Sequence, residues 1–70
     1  MNYCTITKRL SKLGCYELPR RGSGSHRKWF NQNTQQVASI PDWAGRDLKI
    51  GTIRAIIRQL GIEWSVFEDT

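Results

Sequence analysis

Hydrophobic side chains recur at helical spacing near both ends of the chain and at strand spacing between them. Ile6, Leu10 and Leu13 follow the spacing i, i+4 and i+7, which places all three on one face of a helix. This spacing predicts a helix over residues 3–13. Gly14 stands where a left-handed residue commonly caps such a helix.

A second helix has the clearest pattern in the chain, and its apolar positions follow i, i+3, i+4 and i+7: Ile53, Ile56, Ile57 and Leu60. Arg54 and Arg58 lie one turn apart on the opposite side, where such charges usually serve solubility. Gly61 is expected to end this helix. Residues 62–67 are expected to form a final short turn over the edge of the core.

Three strands are predicted between the helices. Residues 15–21 read as the first strand, and Pro19 places it at a sheet edge because proline cannot donate a ladder hydrogen bond. Residues 26–31 read as the second strand and residues 35–40 as the third, ending before Pro41. Polar turns separate the strands, so we expect an antiparallel meander.

Together these elements predict an α+β fold with the order α-β-β-β-α. Both helices are expected to pack on one face of a three-stranded antiparallel sheet. The 70 residues contain no internal repeat and no linker, so we expect one domain over residues 1–70.

The charge balance favours a polyanionic partner. Lysine and arginine number 11 against 6 acids. Three of those acids lie in the last eight residues, which leaves residues 1–62 with a net charge near +8. Nucleic acid is the commonest partner of such a body. The alternative, a solvated basic face, is about equally compatible with charge alone.

The cysteines predict no disulfide. If the segment between Cys4 and Cys15 is helical, the two lie about 16 Å apart, which is too far for a bridge. A reducing cytoplasm is therefore the expected location. One histidine and two separated cysteines make a zinc site improbable. No stretch is apolar enough to span a membrane, and no secretion signal is evident at the N-terminus.

The only histidine, His26, follows a glycine-serine turn and precedes Arg27 and Lys28. Imidazole titrates near neutral pH, so it suits proton transfer on a phosphodiester. Strand alternation places Lys28 on the same face as His26 and Arg27 on the opposite face. Lys28 is therefore the better candidate for the scissile phosphate, although Arg27 and the nearby Arg21 could also contact RNA.

Several segments of the chain resemble the HicA family of bacterial toxins, which are small mRNA interferases. The resemblance covers most of the chain in family order. Its segments are Leu13-Gly14, then Gly24-Ser25-His26, then a long block from Asp47-Leu48-Lys49 to Gln59-Leu60-Gly61-Ile62. The long block is specific, whereas the Gly-Ser-His turn alone would be weak. Family members often carry proline where this chain has Ile50, at the expected first residue of the second helix.

The resemblance implies a fold like that of double-stranded-RNA-binding domains. It also implies metal-independent cleavage of mRNA without a cofactor, with His26 as the catalytic residue. A HicB-type antitoxin would be the protein partner and would block the active surface.

The sequence suggests roles for five further residues and leaves two roles open for some of them. Ser25 could hydrogen-bond a phosphate or cap its loop. Lys49 precedes a helix N-terminus, which itself favours phosphate, so RNA contact is the preferred interpretation. Trp29 is expected in the core because of its bulk. Phe30, on the face of His26, could stack on a base or pack under a loop. Trp43 is either a loop anchor or a partner contact.

Three functions remain open from the sequence. The first is an endoribonuclease toxin. The second is a non-catalytic RNA-binding module of the same fold, in which His26 is incidental. The third is an inactive remnant that only binds an antitoxin. The Gly-Ser-His turn favours the first over the third, and its combination with the long C-terminal block favours the first over the second.

Overall fold

The computed structural model describes residues 1–19 and 24–70 and has an α+β fold. Its elements, in chain order, are α1 (Tyr3–Lys12), β1 (Cys15–Glu17), β2 (His26–Asn31), β3 (Gln36–Pro41), α2 (Ile50–Gln59) and α3 (Trp64–Glu68). The strands form one antiparallel sheet with β2 between β1 and β3. The predicted α-β-β-β-α order is confirmed, and the short α3 follows it.

Three strand boundaries differ from the sequence prediction. β1 ends at Glu17 instead of continuing through Pro19, although Leu18 still donates its backbone N–H to the carbonyl of Lys28 at 2.8 Å. The expected remainder of that strand, residues 20–21, lies outside the described residues. β3 begins at Gln36, not at residue 35, because Gln35 has a left-handed φ of 61°. It includes Pro41, which pairs with His26. Proline is tolerated there because β3 is an edge strand.

Local signals at the helix ends match the expected capping chemistry. The side chain of Asn2 accepts a hydrogen bond from the backbone N–H of Thr5 at 3.0 Å and so caps the start of α1. Gly14 after α1 and Gly61 after α2 have φ values of 89° and 72°. These left-handed conformations favour glycine, so both helices stop where the sequence predicts.

One face of the sheet is buried under α1 and α2. The sheet contributes Cys15, Trp29, Ala38 and Ile40 to this core. The helices and the loop before α2 contribute the other buried apolar side chains: Ile6, Leu10, Leu48, Ile53, Ile56, Ile57, Leu60 and Phe67. The buried strand positions alternate with exposed ones, as expected for a sheet with one covered face. The predicted burial of Trp29 is confirmed.

The turn between β2 and β3 is tied to the end of α2. Asn31 is buried, and its amide donates to the carbonyl of Leu60 at 2.8 Å while its side-chain oxygen accepts from the backbone of Asn33. The hydroxyl of Thr34 donates to the same carbonyl at 2.7 Å. These bonds satisfy a carbonyl that the helix leaves unpaired at its C-terminus. They also fix β2 against α2 at the Asn31 end.

Both cysteines are free, as the sequence predicts, with Cys4 exposed and Cys15 buried. Burial raises the pKa of the Cys15 thiol. Among the helices of residues 1–19 and 24–70, none has the length and hydropathy needed to cross a bilayer.

Candidate functional site

His26 is the first residue of β2, and its side chain is exposed at one end of the sheet. The residue before it is held in place by the backbone: the carbonyl of Ser25 accepts the N–H of Asp42, which follows β3. In the part of the chain that the structure describes, no protein group hydrogen-bonds the imidazole. The ring is therefore anchored through its backbone, and no described residue occupies its nitrogens.

Lys28 lies on the same face of β2 as His26, as the alternation predicts. It is exposed and pairs across the sheet with Ser39, while His26 pairs with Pro41. Two residues along a strand correspond to about 7 Å. A phosphodiester over His26 would therefore lie within reach of the long, flexible side chain of Lys28.

Arg27 points to the opposite face, where it joins three elements. Its guanidinium lies 3.5 Å from the Glu17 carboxylate of β1 and 3.1 Å from that of Asp42. It also lies over the ring of Tyr3 in α1, at 5.4 Å. The Arg27 Nε is buried without a hydrogen-bond partner in the described part of the chain. These contacts favour a role in holding β2 in position over a direct RNA contact.

The surroundings of Arg27 keep it charged. Burial alone disfavours the guanidinium ion, but Tyr3, Glu17 and Asp42 together outweigh that effect. They raise the pKa of Arg27 above its ordinary value. Arg27 therefore stays charged, and its ion pairs with Glu17 and Asp42 connect the inner side of β2 to β1 and to the residue after β3.

Among the described residues, one of the other candidate RNA contacts lies directly beside His26 and another precedes α2. Ser25 is exposed directly beside His26. Lys49 is exposed and precedes α2, whose N-terminus has no side-chain cap. Within residues 1–19 and 24–70, no hydrogen bond or ion pair connects Lys49 with Ser25 or His26. Arg21 lies outside the described residues.

The glycine next to this turn is not required by backbone conformation. Gly24 does not adopt a left-handed φ, and a Cβ atom added there would meet no atom within 4 Å. Among the described residues, the space at the Cβ position of Gly24, two residues before His26, is therefore open.

Sequence reasoning missed Tyr16 as a member of this surface. Tyr16 pairs with Phe30 across β1 and β2, and their ring centroids lie 5.5 Å apart at 58°. Tyr16 therefore lies on the same sheet face as Phe30, Lys28 and His26. Alternation along β1 places Tyr16 on the face opposite to that of Cys15 and Glu17. It shows that this is the face of Phe30 only once the register between β1 and β2 is known.

A groove lies away from this surface, at the C-terminal end of α2. It has a volume of about 410 Å³, and its lining residues are Arg54, Ile57, Arg58, Gly61, Ile62, Glu63 and Trp64. The Arg54 guanidinium lies over the Trp64 ring at 4.6 Å. Asn31 joins this end of α2, whereas His26 begins β2 at the opposite end of the strand. The groove is thus separate from the His26 surface.

The described residues contain no group of three or more His, Cys, Asp or Glu side chains that could hold a metal ion.

A comparison with family models gives a match over residues 4–62, to the family described as the HicA toxin of bacterial toxin-antitoxin systems. The match includes α1 except its first residue, the whole sheet and α2. Searches of curated proteins and of solved structures found no significant match.

Proposed function

Because the chain belongs to the HicA family of toxins of bacterial toxin-antitoxin systems, we propose that it is an endoribonuclease that cleaves mRNA. The observation that carries this proposal is the exposed imidazole of His26, on the same face as the cationic Lys28. The family match supports the proposal, because loss of mRNA is a direct route to the growth arrest that a toxin causes.

The proposed reaction uses the RNA's own nucleophile. The 2′-oxygen forms a bond to phosphorus, the bond from phosphorus to the 5′-oxygen breaks, and the products are a 2′,3′-cyclic phosphate and a 5′-hydroxyl. His26 acts on one of the two protons in transit, as base toward the 2′-hydroxyl or as acid toward the leaving oxygen. The second proton passes through water or a lysine. Such a centre needs no metal, and with one strong acid-base group it is expected to be slow.

The cationic side chains stabilise the negative charge that develops on phosphorus. Lys28 is the candidate for the scissile phosphate, because the alternation of β2 brings it to the face of His26. Ser25, Lys49 and Arg21 are proposed contacts to the RNA backbone on either side. Arg27 was also a candidate from the sequence, but its ion pairs with Glu17 and Asp42 support a positioning role.

The proposed partner is an antitoxin of the HicB type that covers the surface of His26. An antitoxin is expected from the family, because a toxin of such a system is neutralised by a cognate protein. Covering His26 and Lys28 would exclude RNA from both at once. We propose that the protein acts in the cytoplasm, where its mRNA substrate is.

Paired expression in a bacterium tests the proposed function. Wild type, His26→Ala and the control Lys8→Ala, at an exposed position of α1, are induced at matched protein levels. Wild type and the control should arrest growth and fragment mRNA, whereas His26→Ala should do neither. Arrest by all three without new RNA ends would indicate a non-catalytic RNA-binding module. Arrest by none would indicate an inactive remnant.

A further inference from the structure

The outer face of the sheet carries an exposed apolar patch across all three strands. Tyr16 of β1 pairs with Phe30 of β2, which pairs with Val37 of β3. The exposed fractions of Tyr16 and Val37 are 48% and 39%, and Phe30 is half-buried between them. The buried core lies on the other face, so packing within the domain does not explain why these three side chains are apolar.

This patch is continuous with the candidate catalytic residues. Phe30, Lys28 and His26 occupy alternate positions of β2, so they form one row on the outer face. At about 3.4 Å per residue, Phe30 lies about 14 Å from His26, with Lys28 midway. The row therefore places an aromatic ring, a positive charge and an imidazole at regular steps.

The charge of the outer face also suits a polyanion. The only acidic residue in the described strands is Glu17, and together with Asp42 beyond β3 it pairs with Arg27 on the inner face. The outer face of these strands therefore presents Lys28 without a carboxylate beside it. An aromatic pair next to an uncompensated lysine matches nucleobases and phosphates better than it matches an apolar protein surface.

From these observations we propose that the outer sheet face binds single-stranded RNA, with nucleobases stacked on Tyr16 and Phe30. This inference rests on the proposed function and names its substrate class. Lys28 would contact the scissile phosphate from the side of the stacked bases, midway between His26 and Phe30. The stacked bases would lie one or two nucleotides from the cut.

Single strands are the expected substrate because the faces of paired bases are covered by their neighbours in the helix. Aromatic side chains stack on bases of loops and unpaired segments, and this stacking tolerates many sequences. Binding at the outer face would therefore select RNA that is unpaired near the cut. It would give at most a modest preference among bases.

Binding of a non-cleavable RNA tests this proposal separately from catalysis. The probe is a fluorescein-labelled 12-nucleotide single strand with 2′-O-methyl groups throughout, and fluorescence anisotropy gives the Kd. Tyr16→Leu and Phe30→Leu remove the ring but retain an apolar side chain, whereas Tyr16→Phe and Phe30→Tyr retain the ring. Val66→Ala is the control, because Val66 is similarly exposed but lies on α3.

Each leucine variant should weaken binding of the single strand about tenfold, because each removes one stacking platform. The two ring-retaining variants and Val66→Ala should bind about as tightly as wild type. A duplex of the same sequence should bind more weakly than the single strand and respond little to the leucine substitutions. Thermal unfolding shows whether each variant is folded. Tyr16 is half-exposed, so Tyr16→Leu still tests the proposal if Phe30→Leu fails to fold.

Unchanged affinity of a folded Tyr16→Leu variant would overturn the proposal, as would equal binding of duplex and single strand. If the leucine substitutions spared RNA but abolished antitoxin binding, the face would belong to a protein partner. If they abolished only a concentration-dependent self-association, it would belong to a second copy of the chain. Because the probe cannot be cut, none of these outcomes depends on whether the protein is a nuclease.

Discussion

His26 and Arg27 are adjacent in β2 and both side chains can carry a positive charge, but their environments differ. His26 is exposed at the end of the sheet, whereas Arg27 turns inward to Glu17, Asp42 and Tyr3. The alternation of a strand is sufficient to predict this separation. It was not sufficient to predict the partners of Arg27, because Tyr3 and Asp42 are distant from it in sequence and meet it only in the folded domain.

The first prediction concerns His26. His26→Ala should reduce RNA cleavage by about 10²–10⁴-fold, the usual contribution of a general acid or base. Its melting temperature should equal that of wild type, because the exposed imidazole has no hydrogen bond to the described part of the protein. Single-turnover cleavage and thermal unfolding of the same preparations check both halves. A variant that unfolds easily would reveal a structural role instead.

The second prediction distinguishes positioning by Arg27 from RNA contact by Lys28. Arg27→Ala should lower the melting temperature, because it leaves Glu17 and Asp42 without their partner, whereas Lys28→Ala should leave it unchanged. Below its melting temperature, Arg27→Ala should reduce kcat more than it raises KM, since a misplaced β2 misplaces His26. Equal stability of the two variants would contradict a structural role for Arg27.

At the scale of elements, the sequence predicted best where local chemistry decides the structure. The bounds of β2 and the ends of both long helices match because alternation and left-handed glycines are local signals. The predicted end of β1 was wrong: the strand ends at Glu17, although the backbone N–H of Leu18 still donates to the carbonyl of Lys28 in β2. The register that places Tyr16 beside Phe30 could not be predicted, because the eight residues between β1 and β2 are too many for a turn type to fix it.

The third prediction compares two glycines at opposite ends of α2. Gly61→Ala should destabilise the protein by about 1–2 kcal/mol, the usual cost of a left-handed non-glycine residue. An added Cβ there would also lie 2.8 Å from the Gln36 side chain and 3.0 Å from that of Thr34. Gly51→Ala should stabilise by up to about 1 kcal/mol, because Gly51 is helical and faces open space. Chemical denaturation measures both, and stabilisation by both substitutions would contradict the capping role of Gly61.

At the scale of the whole molecule, charge and fold together limit the possible functions. The composition indicated a polyanionic partner, and the family match identifies a toxin. Neither fixes the surface that contacts RNA. The structure adds the arrangement from which that surface is proposed: a basic residue, an imidazole and an aromatic pair on the sheet face opposite the core. Sequence reasoning found three members of this face and missed Tyr16.

The fourth prediction concerns the dependence of RNA binding on salt. The logarithm of the association constant should fall linearly with the logarithm of salt concentration, because bound cations displace counterions from the RNA. Lys28→Ala should reduce the steepness of this slope by about 0.7, the value for one phosphate contact on a single strand. Lys8→Ala, which removes an exposed lysine of α1, should leave the slope unchanged. Equal slopes for Lys28→Ala and wild type would show that Lys28 does not contact a phosphate.

The most direct test of the central claim is the chemistry of the RNA ends produced by the purified protein in EDTA. Wild type should cut a single-stranded substrate to leave 2′,3′-cyclic phosphate and 5′-hydroxyl ends, and His26→Ala should leave it intact. A single 2′-deoxy nucleotide at the mapped site should block that cut, because it removes the nucleophile. Undiminished cleavage by His26→Ala, or cleavage that requires a divalent cation and leaves 5′-phosphate ends, would contradict catalysis by His26.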